Sequence, residues 1–256
     1  MKKIAVITGA SSGMGKEFVH QLLSTEPELE EVWLVARREE VLQKIKEECE
    51  SKYAGKSIRL LSLNLEEPEA WKVYAKKLEE ERPNIRYLVN AAGYGKIGKT
   101  KEIDVMEQTG MIRLNCEALE AMTQLSIPYM RKKSKILQVA SASAFLPQPG
   151  FNVYAASKAF VLSYSRALGR ELRKDQITVT VVCPGPVETE FFTRAEELHK
   201  TPSYKKRFRA KKENVVQKAL KDAKRGKAVS VYGASMKGMR LGAKLFPHGL
   251  LLKGFR

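Results

Sequence analysis

Tyr154 and Lys158 stand four residues apart in Tyr154-Ala155-Ala156-Ser157-Lys158, a spacing that puts a phenol and an ammonium on one face of a helix. An unperturbed phenol titrates near 10, so it needs a fixed positive charge beside it to become a useful acid or base near neutrality. The same spacing also arises by chance on solvated helical faces, so a further group must support it. Ser141 is that group: it sits thirteen residues upstream, in Val139-Ala140-Ser141-Ala142-Ser143, directly after an apolar stretch from Lys135 to Ala140. A serine at the carboxyl end of a strand points into the crevice where open α/β sheets bind ligands, and its hydroxyl could orient a reacting oxygen.

A second constellation lies near the amino terminus. The run Thr8-Gly9-Ala10-Ser11-Ser12-Gly13-Met14-Gly15 separates an apolar strand from a helix with Phe18, Val19, Leu22 and Leu23 on one face. Glycines let the backbone turn sharply and approach a pyrophosphate, and the helix start offers free N–H groups and a positive dipole end. Gly9, Ser11, Ser12, Gly13, Met14 and Gly15 are therefore candidate cofactor contacts. A bare tight turn is the alternative. At the end of the second strand, Ala36-Arg37-Arg38 stands where an NAD site usually carries an acidic residue for the ribose 2′-hydroxyl. A guanidinium pairs well with a 2′-phosphate, so the expected cofactor is NADP(H). Both arginines also read as solvated side chains at a helix start, partly offset by Glu39 and Glu40.

These groups need a scaffold, and the hydrophobic pattern predicts one. Strands are expected over Lys2 to Thr8, Glu31 to Ala36, Ser57 to Leu63, Tyr87 to Ala91, Lys135 to Ala140, Ile177 to Cys183 and Ala228 to Tyr232. Helices are expected over Gly13 to Ser24, Glu39 to Tyr53, Pro68 to Glu81, about Val105 to Arg131, Val153 to Lys174 and Glu213 to Lys224. Short apolar strands alternating with amphipathic helices imply a seven-stranded parallel sheet covered by helices on both faces, a doubly wound Rossmann-type fold. The 256 residues suit one such domain, with no repeat, linker or low-complexity segment. The aperiodic stretch from Pro184 to Lys212 is the candidate substrate lid.

Charge sets the remaining expectations. The formal net charge is +17, and residues 201 to 256 carry 16 Lys and Arg against Glu213 and Asp222. A field of that sign attracts phosphorylated cofactors, acidic partners, anionic membranes or nucleic acid, and it does not choose among them. Within the basic extension of about 233 to 256, residues Ser235 to Phe246 place Lys237, Arg240 and Lys244 on one helical stripe, with Met236, Met239, Ala243 and Phe246 largely opposite. That helix either packs on the sheet or on another subunit, or lies on an acidic partner or membrane surface. His248 reads as a loop or interface residue. Cys49, Cys116 and Cys183 have neither CxxC nor metal-ligand spacing, which fits passive thiols in a reducing compartment and no metal site. The apolar run Ile4 to Ile7 is too short for a secretory signal, and no stretch approaches a membrane span, so a cytoplasmic or at most peripheral protein is expected.

Taken together and in order over roughly residues 1 to 190, these motifs resemble the classical short-chain dehydrogenase/reductase family. The resemblance selects Ser141 over Ser143, which lines the pocket or caps a turn. It also implies that Asn115, in Arg113-Leu114-Asn115-Cys116, holds a water in a proton relay to Lys158, a role a mid-helix asparagine would not otherwise suggest. It assigns Asn90, Ala91 and Gly93 of Asn90-Ala91-Ala92-Gly93 to sheet support and the adenosine side. Pro184, Gly185, Val187 and Thr189 would lie at the nicotinamide carboxamide, while Asn64 and Leu65 would sit beside the adenine. Asn64 replaces the family's usual Asp, and its side-chain carbonyl can still accept the hydrogen bond from the adenine amino group, without charge; Ala91 replaces the usual second Asn, which removes that residue's supporting contact. Tyr154 and Lys158 also touch the cofactor in this scheme.

The implied activity interconverts a ketone or aldehyde with an alcohol. Tyr94, Ser143, Phe145, Leu146, Gln148, Phe191 and Phe192 follow strand ends or open the lid, so they are candidate substrate contacts and favour an apolar ligand such as a steroid, a bile acid or a fatty acyl ketone. Phe191 and Phe192 equally fit a role anchoring the lid. A 3-oxoacyl-carrier reductase is the alternative enzyme, and a redox sensor binding NADP(H) and using its basic tail on nucleic acid or membrane is the alternative of another class. Nucleic acid is the less favoured partner, because a sensor has no need of a proton relay. The resemblance further implies a homodimer or homotetramer joined through the helices near 105 to 131 and 153 to 174.

Overall fold

The computed structural model describes residues 1–199 and 209–252. Seven strands, β1 (Lys3–Thr8), β2 (Glu31–Ala36), β3 (Ser57–Ser62), β4 (Asn84–Asn90), β5 (Met130–Val139), β6 (Thr178–Val182) and β7 (Val229–Ser230), form one sheet in the order β3-β2-β1-β4-β5-β6-β7. All pairs are parallel, with Thr8 opposite Val35 on one side and Asn90 on the other. Strand order therefore reverses between β1 and β4, which opens a crevice at their carboxyl ends.

Burial on both faces explains why the strands read as continuous apolar runs. In β1, Ala5 and Ile7 join a core cluster with Phe18 and Leu22 of α1 (Gly13–Thr25), Leu42 and Ile45 of α2 (Glu39–Lys52), and Val216 and Leu220 from near the carboxyl end. Ile4 and Val6 point the other way, into a second cluster with Tyr74 and Leu78 of α3 (Pro68–Glu81), Met122 and Leu168.

The expected single helix from Val105 to Arg131 is corrected. It runs as α4 (Val105–Ile112), a π-helical turn (Arg113–Glu117) and α5 (Ala118–Ser126), then ends in a 3-10 turn (Ile127–Tyr129). Pro128 has no N–H to continue the ladder. Met130 and Arg131 instead begin β5, whose irregular first half is held by Ser134, its Oγ accepting from Arg131 N at 3.1 Å and donating to the Ile85 carbonyl at 2.8 Å.

After α6 (Asn152–Glu171) and β6, the segment expected to form a lid contains a short helix, α7 (Phe191–Ala195), and its base is closed by a parallel bridge between Val187 and Ala210. The rest of the expected lid, residues 200–208, lies outside the described residues, as do 253–256 of the basic extension. The chain continues through α8 (Lys212–Lys224), a last strand shorter than expected, α9 (Ala234–Leu245) and α10 (His248–Leu252).

Asp222 locks α8 to β7. Its buried carboxylate accepts from Ser230 Oγ at 2.8 Å and pairs with Lys218 at 2.5 Å and Lys227 at 3.1 Å. Burial pushes the carboxyl pKa up, but the hydrogen bonds from Lys218, Ser230 and Lys227 outweigh it and hold the group below its ordinary value. The stabilisation is therefore present above the ordinary carboxylate range and lost as pH falls through the depressed value. Asp222→Ala, which strands these donors, is expected to lower stability by about 3 kcal/mol in chemical denaturation at pH 7, with a smaller difference from wild type in acid.

Candidate active site

A crevice of about 1110 Å³ runs along the carboxyl edge of the sheet. At one end it is lined by Gly9, Ser11, Ser12, Gly13, Met14 and Gly15. Gly9 and Gly13 adopt φ of +67° and +52°, a region that disfavours other residues. A Cβ on Gly9 would stand 2.7 Å from Ala92 N, and one on Gly15 would overlap the Gly9 carbonyl. Strand, loop and helix thus meet at backbone contact, leaving the start of α1 bare towards the crevice. The Thr8 hydroxyl accepts from the N–H groups of both Ala91 and Ala92 at 3.1 Å, so the loop after β4 is tied down without the family's usual second asparagine.

Arg37 and Arg38 line the same end. Arg38 donates to Ser11 Oγ at 3.2 Å and lies 3.6 Å from Glu190 at the lid, while Arg37 pairs with Glu66 at 3.3 Å. Both guanidinium groups are about half exposed, so carboxylate partners of this kind hold them only weakly. Leu65 lines the crevice, but Asn64 does not: its amide donates to Glu67 at 2.7 Å and its Oδ1 accepts from Glu66 N at 3.4 Å. The expected adenine contact is corrected to a turn-stabilising role, because the Asn64 side chain is used in the loop that enters α3. Asn90 is likewise outside the crevice wall, buried and donating to Thr123 Oγ1 and Gln138 Oε1, whereas Ala91 and Gly93 line it.

In the middle of the crevice Tyr154, Lys158 and Ser141 come together. Residues Tyr154 and Lys158 open α6, and the Lys158 Nζ donates to the Val139 carbonyl at 2.9 Å while lying 5.7 Å from the Tyr154 ring centroid. Ser141 caps the 3-10 turn Ala142–Phe145, its Oγ accepting from Ser143 N at 3.1 Å. Burial pushes the Tyr154 phenol up to about 12, against a hydrogen bond with Ser141 that draws it down. Burial also pushes Lys158 down to about 8.

Asn115 is fully buried in the π-helical turn. Its Nδ2 donates to the Tyr94 carbonyl at 2.9 Å and Ser157 Oγ at 3.0 Å, and its Oδ1 accepts from Tyr94 N at 3.0 Å. A Cβ on Gly93 would stand 2.6 Å from Asn115 Oδ1 and 3.2 Å from Lys158 Nζ, so asparagine and lysine meet across that glycine. The π turn, which inserts one extra residue into the helix, belongs to this inward placement.

Beyond the phenol the wall is mostly apolar. Tyr94, Leu146, Phe191 and Phe192 line it, with Ser143 and Gln148 as polar members. Phe145 does not: it is corrected to a core residue, packed with Leu119, Val161 and Val181 beneath the Ser141-capped turn. Pro184, Gly185, Val187 and Thr189 form the floor after β6, and a Cβ on Gly13 would crowd the Thr189 side chain at 3.3 Å. Phe151 stacks on Tyr154 at 4.3 Å, and a Cβ on Gly95 would press on both rings, contacts that no spacing in the sequence announces. Met236, Met239 and Leu251 of the carboxyl-terminal segment also reach the crevice.

Charge and a hydrogen bond hold the expected lid segment. Arg194 pairs with Glu107 at 3.4 Å and lies over the Tyr94 ring at 3.5 Å, Lys96 pairs with Glu197, and His199 Nε2 lies 3.0 Å from a Glu102 carboxylate oxygen. All three cysteines are buried, and burial pushes their thiols up, to about 11 for Cys49 and Cys116 and about 12 for Cys183. No helix among the described residues is long and apolar enough to cross a membrane.

Known proteins resemble this chain in sequence and fold. The chain is 34% identical over 187 residues to a very-long-chain 3-oxoacyl-CoA reductase of Aspergillus oryzae, a match covering 70% of this chain and 52% of that protein. It is 33% identical over 193 residues to an NADP-dependent 3-hydroxy acid dehydrogenase of Schizosaccharomyces pombe, covering 74% and 73%. The chain spans about half the length of the 3-oxoacyl-CoA reductases it matches. In fold it superimposes on a short-chain dehydrogenase from Sphingobium yanoikuyae in complex with NADPH with a TM-score of 0.78 and 24% identity, covering 98% of this chain and 96% of that one. A family model described as short chain dehydrogenase matches residues 3–199, and with a parallel seven-stranded sheet and a Tyr154/Lys158/Ser141 crevice behind that match, the chain belongs to the short-chain dehydrogenase family.

Proposed function

We propose that the protein is an NADP(H)-dependent oxidoreductase that interconverts a carbonyl and an alcohol on a lipophilic substrate. The observation that carries this reading is the meeting of Tyr154, Ser141 and Lys158 in the middle of a crevice with arginines at one end and an apolar wall at the other. The Gly9–Gly15 loop supports a dinucleotide because its glycines leave no side chain between the backbone and the crevice. Arg37 and Arg38 would hold the 2′-phosphate, Lys158 the nicotinamide ribose, and Val187 and Thr189 the carboxamide.

NADP(H), when bound, supplies or accepts the hydride. Tyr154 then gives its phenolic proton to the substrate oxygen in reduction and takes it back in oxidation, while Ser141 orients that oxygen by a hydrogen bond. The phenol is protonated at pH 7, the state that reduction requires; burial raises its pKa where the sequence led to the expectation of a lowered one, so easing its ionisation in oxidation falls to the Lys158 ammonium. Lys158 stabilises negative charge on the phenol, and Asn115 fixes the backbone against which the lysine rests. Phe151, Phe191 and Phe192 exclude water from the phenol.

A 3-oxoacyl chain is the second reading, favoured by the very-long-chain 3-oxoacyl-CoA reductases among the relatives. A panel of steroid ketones, free 3-oxo acids and 3-oxoacyl thioesters, followed by NADPH absorbance, separates the two. Turnover of none of them contradicts the proposal. The arginine pair makes a sharper expectation: Arg37→Ala/Arg38→Ala raises the KM for NADPH about 10²-fold and leaves that for NADH within threefold, since two charge-assisted contacts are lost only for the phosphorylated cofactor. Equal effects on both cofactors would refute the assignment. Exposed Val105, Met106, Ile112 and Phe160 on α4 and α6 support an additional proposal, that these helices pack against a second copy, which sedimentation velocity tests.

A further inference from the structure

The carboxyl-terminal segment has two faces. Inward, Met236, Met239 and Ala243 of α9 pack on the cluster containing Phe145 and Val231, and Met236, Met239 and Leu251 form part of the crevice wall. Outward, Leu241, Leu245, Phe246 and Leu250 are each more than half exposed, which places four of the exposed large apolar side chains among the described residues within ten positions. Single exposed leucines are ordinary, but a run of this kind on one segment marks a contact surface.

Charge identifies what covers it. Lys237, Arg240 and Lys244 are exposed along the same helix, and no acidic residue follows Asp222 in the sequence. An acidic protein or a phosphorylated carrier satisfies the cations but covers Leu241, Leu245, Phe246 and Leu250 only if it also carries a matching apolar patch. A bilayer with anionic headgroups satisfies both, because apolar side chains enter the acyl boundary while lysine and arginine stay among the phosphates.

We propose that α9 and α10 dock the protein on an anionic lipid surface and that the crevice opens beside that contact. Met236, Met239 and Leu251 then form an apolar path from the bilayer to Tyr154. This second part rests on the lipophilic-substrate reading; docking itself does not.

Flotation of the full chain with vesicles of phosphatidylcholine alone, or with about a third phosphatidylserine, tests it. Three cations near an anionic surface correspond to about 10²-fold tighter binding to the anionic vesicles, falling as salt is raised. Lys237→Glu/Lys244→Glu should remove that preference, and Leu245→Glu/Phe246→Glu should weaken binding at least about tenfold while turnover of a water-soluble ketone stays unchanged. Equal binding to both vesicle types, no binding to either, or binding indifferent to the Leu245 and Phe246 changes overturns the proposal. So does a dimer that falls apart in Leu245→Glu/Phe246→Glu without vesicle binding in the wild type, which would assign the face to a second copy. Binding is read without cofactor or turnover, so it stands or falls separately from the catalytic reading.

Discussion

Tyr154→Phe is expected to lower carbonyl reduction by about 10²–10⁴-fold with little change in NADPH affinity, the range associated with removing a positioned acid. The change deletes one oxygen and keeps the ring, so the 4.3 Å stack on Phe151 and the contact with Phe191 persist and the fold is preserved. The lost function is therefore confined to the proton. With the phenol pushed up to about 12 by burial, reduction in the wild type should hold steady around neutrality, where the phenol is protonated, while alcohol oxidation should climb with pH because it needs phenolate. Initial rates in both directions across pH 6 to 10 check the pair of trends, and an oxidation rate that falls with rising pH would speak against Tyr154 as the titrating group.

Lys158→Met should separate activity from stability. Burial pushes the Lys158 amine down to about 8, against an ordinary value near 10.4, so below about 8 the folded protein carries a buried charge that the unfolded chain keeps in water. Between those values the unfolded chain binds more protons, so this group's contribution to stability improves as pH rises and its penalty is complete below about 8. A methionine of similar reach removes the charge at the loss of the 2.9 Å hydrogen bond to the Val139 carbonyl. The variant is expected to be more stable at pH 7 by on the order of 2 kcal/mol, raising Tm by about 4–8 °C, while reduction falls by about 10²-fold or more. A variant melting below the wild type at pH 7 would mean that the amine is not held as described.

Most of the scaffold was legible because its strands are covered on both sides. Ala5 and Ile7 face one core and Ile4 and Val6 the other, so β1 reads as an unbroken apolar run, and the same holds for β2 and β4. Helix periodicity carried the rest until Ser126, where Pro128 ends the helix and an irregular lead-in to β5 begins; the lysine-rich stretch there has no alternation to betray a strand. Tyr154, Lys158 and Ser141, which line one crevice, were legible from the four-residue spacing, the strand end before Ser141 and the family resemblance that selected Ser141 over Ser143. Phe145 and Asn64 were misplaced for one reason: each follows a strand end, but a local hydrogen-bonded turn redirects it, Phe145 under the Ser141-capped turn and Asn64 towards Glu66 and Glu67. Phe151 and Leu251 were not foreseen at the crevice, since they meet it only through tertiary packing, and the Asp222 network joins charges whose partnership depends on the α8–β7 contact.

The central claim is that Ser141 and Tyr154 act on one oxygen as a single unit. Single-turnover reduction by Ser141→Ala, Tyr154→Phe and the double variant, each saturated with NADPH, measures this directly. Groups that act together lose their effect together, so the double variant should be no slower than the slower single within about threefold. Losses that multiply, or a Tyr154→Phe enzyme that still turns over at wild-type rate, would contradict it.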